Sequence, residues 1–111
     1  MPIDDLRQAL LAQARTGAPV SYRALAAQLR LAPPQTIQRL TAALEALMAE
    51  DAAAGRPLLA ALCVSRLPTD LPGRGFFLTA QALGLFAGEP DTPAAREFHA
   101  AELRRVLDYY T

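Results

Sequence analysis

Val20-Ser21-Tyr22-Arg23-Ala24-Leu25-Ala26-Ala27-Gln28-Leu29, followed after a short break by Pro34-Gln35-Thr36-Ile37-Gln38-Arg39-Leu40, is the stretch on which the fold turns. Ser21 has the short hydroxyl side chain that accepts a bond from a free amide at a helix start. Leu25, Ala26 and Leu29 recur at helical spacing, which predicts a short helix from Tyr22 to Arg30. Pro33 and Pro34 interrupt it. Pro34 suits the first turn of a second helix, because the N–H it lacks would have no partner there. Ile37, Leu40, Leu44, Leu47 and Met48 then carry an apolar stripe toward the stop at Gly55, so this second helix is long.

Working outward, Ile3, Leu6, Leu10 and Ala14 predict a helix over Asp4–Arg15, ended by Thr16-Gly17-Ala18-Pro19. On the other side, Leu58 to Ser65 is a continuous apolar run between Pro57 and Pro68, read as a buried strand, although a buried helical segment has the same composition. Pro72-Gly73-Arg74-Gly75 reads as a turn and Gly75-Phe76-Phe77-Leu78 as the returning strand, with Phe76 and Phe77 on opposite sides. Thr79 is placed to cap a short helix through Phe86, Gly88 to Asp91 is a loop, and Thr92-Pro93 opens a last helix to Tyr110. The expected fold is mainly α with a small β-hairpin, α+β in class. It is a winged helix-turn-helix with additional C-terminal helices in one domain: the two-helix unit over 21–54, the wing over 58–78 and the C-terminal helices over 79–110.

Composition narrows the function. A chain of 111 residues supports a single core. No apolar run approaches the roughly 18 residues of a membrane span, and Met1-Pro2-Ile3-Asp4-Asp5 lacks a signal-peptide pattern, so a cytoplasmic protein with no membrane partner is expected. Cys63, the lone cysteine, has no disulfide partner and sits in the apolar run, which argues against redox chemistry. His99 lies at helical spacing with Leu103, Val106 and Tyr110 and reads as a packed side chain. No metal, cofactor or catalytic residue is expected, and Pro72–Phe77 lacks the Gly-Lys-Ser/Thr of a nucleotide loop. Formal charge is zero, yet no acid occurs between Leu6 and Leu44, where Arg7, Arg15, Arg23, Arg30 and Arg39 fall. Every cation is arginine, which together with the many alanines reads chiefly as a GC-rich genome.

In a helix-turn-helix pair the support helix packs across the start of the second, leaving the second's first outward residues free for base edges. With Ile37, Leu40 and Leu44 facing the core, Gln35, Thr36, Gln38 and Arg39 are left outside. Gln can bond adenine and Arg can bond guanine or phosphate. Ser21, Tyr22 and Arg23 stand at the start of the support helix, and Arg74 at the wing tip is placed to touch backbone phosphate. The function expected is non-catalytic duplex DNA binding. The alternative is an adaptor for a protein partner or a homodimer, docking through the long helix and the helix that ends in Tyr109 and Tyr110.

Val20-Ser21-Tyr22 with Leu25-Ala26, then Gln38-Arg39-Leu40 and Ala43-Leu44, then an apolar strand and a Gly-containing hairpin ending at Phe76, resembles the DNA-binding domain of alkylguanine-DNA alkyltransferases and alkyltransferase-like proteins. The similarity spans Gly17 to Phe77 and is strongest over Val20 to Leu31. The resemblance implies an arginine inserted into the duplex from the second helix, near Gln38 or Arg39, with Arg39 the closest candidate. It does not carry the chemistry. That family's cysteine is followed by His-Arg, whereas Ala60-Ala61-Leu62-Cys63-Val64-Ser65-Arg66 has no histidine, and Cys63 is shifted from the family position nearer Ala60. The alkyltransferase-like proteins keep the His-Arg pair, so their lesion pocket is not matched either.

Overall fold

The computed structural model describes residues 2–65 and 71–111. The apolar stripes become α1 (Ile3–Thr16), α2 (Tyr22–Gln28), α3 (Thr36–Ala53), α4 (Arg74–Ala82) and α5 (Pro93–Tyr110). Two short strands, β1 (Val20–Ser21) and β2 (Cys63–Val64), pair in parallel with Val20 opposite Cys63 and Ser21 opposite Val64. The protein is thus mainly helical with a small parallel two-stranded sheet.

Capping chemistry sets several boundaries. Ser21 Oγ accepts from Ala24 N at 3.1 Å, and Thr92 Oγ1 accepts from Ala95 N at 3.2 Å with Pro93 in the first turn behind it. α3 ends at Gly55, whose φ of +70° lets the amides of Gly55 and Arg56 reach back to Ala52 and Asp51 carbonyls. The second long helix begins at Thr36, not Pro34. Gln35 occupies the left-handed region at φ 56°, ψ 37°, which no helical residue can adopt, and so stands outside as the N-cap residue.

The segment Leu58–Val64 runs through the centre, buried along its whole length, with α1, α3 and α5 packed around it. Only its last two residues are strand; Leu59–Leu62 coil into a 3-10 turn. The wing expected over 58–78 is therefore not a hairpin in its described parts, and its residues 66–70 lie outside the described range. Gly75-Phe76-Phe77-Leu78 is helical, and Phe76 and Phe77 both face inward, edge to face at 5.2 Å. The buried set Phe76, Phe77 and Ala80 has helical spacing, and burying two aromatic rings outweighs both the β preference of Phe and the poor helix propensity of Gly75. Thr79 consequently lies inside α4 rather than capping a helix that runs on to Phe86. No helix among the described residues is long and apolar enough to cross a membrane.

Because the central segment lacks a neighbouring strand for its first half, side chains satisfy its backbone. Leu59 N donates to Asp51 Oδ2 at 3.2 Å and Leu58 N donates to Glu102 Oε2 at 2.8 Å. Each carboxylate is matched by arginine: Asp51 by Arg7 at 2.8 Å and Arg56 at 3.2 Å, Glu102 by Arg105 at 2.6 Å. His99 Nε2–H donates to Ala61 O at 2.8 Å, and since a carbonyl can only accept, that nitrogen carries the proton.

Asp51 is fully buried, so Asp51→Ala leaves the Leu59 amide and Arg56 without this acceptor and Arg7 with Glu50 alone. A loss of about 3 to 5 kcal/mol is expected in urea unfolding. Burial also lowers the His99 pKa from its usual 6.5, with the bond to Ala61 opposing the shift. The unfolded chain then binds the imidazole proton more readily than the folded one. Stability from this group is complete above about pH 6.5 and is lost as pH falls below that toward the folded-state value. Unfolding titrations between pH 8 and pH 5 should show this slope in the native chain and a flatter one in His99→Gln.

Candidate nucleic-acid interface

α2 ends at Gln28, short of the expected Arg30, which stands just beyond it at φ 55°, where Arg30 N reaches Ala27 O and Leu31 N reaches Ala26 O. This helix stop usually carries glycine; here it keeps a cation at the turn, with the cost of a left-handed non-glycine residue. The Pro33–Pro34 peptide is cis. Arg39 Nη2 then donates to Ala32 O at 2.9 Å, folding the guanidinium back over the turn it follows. α2 packs on α3, so the turn and the two helices form one unit.

Of the residues expected at the interface, Gln35, Gln38 and Arg39 are exposed and Thr36 is half-buried. Gln35 differs from expectation in standing before the helix instead of on it. Ile37 was assigned to the core but is 45% exposed, while Leu40, one turn on, is fully buried. It forms a wall of an open depression of about 310 Å³ shared with Ser21, Tyr22, Arg23 and Ser65. Ile37 and Ser65 are the members that sequence reasoning missed. Among the described residues no carboxylate lines this depression.

The starts of α2 and α4 are tied together. Gly73 N donates to Tyr22 Oη at 2.6 Å, and a Cβ at Gly73 would come within 3.3 Å of that oxygen. Burial pushes the Tyr22 hydroxyl up to about 12, so it remains protonated at any physiological pH. Arg74, the next residue, is set on the first turn of α4, not a hairpin tip, and its exposed guanidinium lies 3.9 Å from Asp91. Arg7, one of the five arginines in the acid-free stretch between Leu6 and Leu44, is instead drawn into the cluster with Asp51 and Glu50.

Behind Tyr22, Thr41, Leu44, Glu45, Met48, Ala60 and Phe76 enclose a void of about 10 Å³, too small for anything beyond a water molecule. Cys63 is buried and its thiol is pushed up to about 12 by burial alone, with no imidazole or cation lowering it. His99 spends its Nε2 proton on Ala61. No family model, curated protein or solved structure matches the chain.

An inert, enclosed thiol predicts slow chemistry. A disulfide reagent such as dithionitrobenzoate should label Cys63 promptly in denaturant, and in native buffer only as fast as the protein opens. Rapid labelling of the folded chain at pH 7 would contradict the burial described.

Proposed function

We propose that this chain is a non-catalytic, cytoplasmic DNA-binding domain of winged helix-turn-helix type, in which the first turn of α4 with Arg74 stands where a β-hairpin wing would otherwise reach the duplex. The observation that carries the reading is the open depression between the starts of α2 and α3: Arg23 and the exposed Ile37 line it, and Gln38 and Arg39 follow directly on the same helix. Glutamine and arginine supply bidentate partners for adenine and guanine, arginine also takes phosphate, and an exposed isoleucine suits apolar contact with a base. Arg30, held at a strained position in the turn before α3, is a further exposed cation of the two-helix unit. The resemblance of the two-helix part, Val20–Leu44, to the alkyltransferase DNA-binding domain supports the same reading, whereas its strand-and-hairpin part lends none, since Leu59–Leu62 coil and Gly75–Leu78 is helical. Alkyl transfer is left out of the proposal, because the thiol is buried and the His-Arg pair is missing from Ala60–Arg66.

A second reading, a protein-interaction adaptor, draws on a different surface. Leu85 at 44% and Tyr109 at 59% exposure border adjoining grooves beside α5 that share Gly55 and Arg105. Tyr110 turns inward onto the core while Tyr109 stays out. A folded protein that ignores nucleic acid would favour this reading.

Titration of a labelled duplex at two salt concentrations separates them. Wild-type protein should bind with an affinity that falls steeply as salt rises. Arg39→Ala and Gln38→Ala should each lose about 1 to 3 kcal/mol of binding. Ile37→Ala should weaken binding about threefold while leaving the thermal midpoint within a degree or two, since its side chain is not core. Absence of binding at low salt ends the proposal.

A further inference from the structure

We infer that Arg74 and Arg96 form a second contact point for a DNA backbone phosphate, and that Asp91 occupies it as an internal stand-in until DNA arrives. The inference rests on the DNA-binding reading and extends it to residues outside the helix-turn-helix. Ser65, Gly73, Arg74, Asp91 and Arg96, with Leu71, Pro72 and Phe77, line a depression of about 230 Å³. It shares Ser65 with the depression beside Ile37. Ser65 borders both, and Tyr22, on one side, holds Gly73, on the other, through the 2.6 Å hydrogen bond. A duplex seated against α3 at Ser65 would thus lie next to a depression that holds two further guanidiniums. Among the described residues that line this depression, those two cations face a single carboxylate.

Asp91 is put there by the backbone. It sits in the left-handed region at φ 62°, between Glu89, whose carbonyl accepts from Thr92 Oγ1 at 2.7 Å, and the N-cap of α5. Gln81 Nε2 holds the same loop through Gly88 O at 2.5 Å. The loop thus aims a carboxylate at Arg74, yet the contact is long, 3.9 Å, with side chains 63% and 89% exposed. A pair of that kind adds little to folding and is readily exchanged. A phosphodiester, with the same single charge shared by two non-bridging oxygens that a guanidinium fork can take, is the ligand such a site would accept in exchange.

The test is the same duplex titration run on Arg96→Ala and Asp91→Asn beside wild type and Arg39→Ala. Loss of one phosphate contact should weaken Arg96→Ala about fivefold to tenfold at 0.1 M salt and reduce the slope of log K against log salt by about one. Asp91→Asn should bind about two to four times more tightly at low salt, because a like charge beside the phosphate is gone. Thermal unfolding should show both variants as stable as wild type, which keeps a folding defect from mimicking the result. If both variants bind like wild type while Arg39→Ala is impaired, the second contact is wrong and the helix-turn-helix reading stands. If neither wild type nor Asp91→Asn binds duplex at low salt, both fall together.

Discussion

Two backbone amides, those of Leu58 and Leu59, enter an apolar interior where neither helix nor sheet offers them an acceptor, and two carboxylates from different helices supply it. An unsatisfied buried amide costs about 1 to 3 kcal/mol, so leaving both bare would consume much of a small domain's stability. Bringing in a carboxylate creates a larger problem unless its charge is met. That is why Arg7 crosses from α1, Arg56 folds back from beyond α3 and Arg105 reaches down from one turn along α5. α1, α3 and α5 are thereby joined around one chain segment by charge and hydrogen bonding as well as by the leucines they bury.

The position of the candidate interface follows from that clamp. Once Leu58–Leu62 is fixed, Cys63 and Val64 emerge as the strand beside Val20 and Ser21. Ser21 is both the end of β1 and the cap of α2, so the place where the sheet stops is the place where the support helix starts. α2 then runs to the strained stop at Arg30, and Arg39 returns across the turn to Ala32. Each step is short and hydrogen-bonded, and it carries the rigidity of the interior out to Ile37 and Gln38 without a long loop. The Tyr22–Gly73 bond adds a second strut to the start of α4.

What was legible in the sequence is what depends on neighbours within a turn or two. Ser21, Thr92-Pro93 and Gly55 mark their boundaries because capping is local chemistry, and the stripe from Leu40 to Met48 faces inward as its spacing requires. Leu58–Val64 was recognisable as buried but not as a 3-10 turn, because its conformation is settled by Asp51, His99 and Glu102 from elsewhere in the chain. Over Gly73–Leu78 two glycines and two aromatics imitate a strand after a turn; the spacing of Phe76, Phe77 and Ala80 was the competing signal, and tertiary packing decided for it. Ile37 fits the stripe by number yet escapes the core, since it lies in the first turn of α3, where the helix has only begun to pass under its neighbours. Ser65 could not be placed beside it from spacing alone, because they meet only through the β1–β2 pairing.

The same clamp bears on how a neutral chain could hold nucleic acid. Arg7, Arg56 and Arg105 are committed to Asp51, Glu50 and Glu102, so these charges cancel within the scaffold. What is left along Arg15, Arg23, Arg30 and Arg39 is a run of exposed cations in a part of the chain without a single acid. Formal charge averaged over 111 residues therefore conceals a stretch, Leu6 to Leu44, in which every charged residue is arginine. A handful of cations still releases few counterions, so the sequence-independent part of any DNA affinity would be modest. Selectivity would then have to come from the short-range fit of Ile37, Gln38 and Arg39 on a base edge. Such a fit demands a firm mounting, which the packing of α3 on α2 and the burial of Leu40 one turn beyond Ile37 supply.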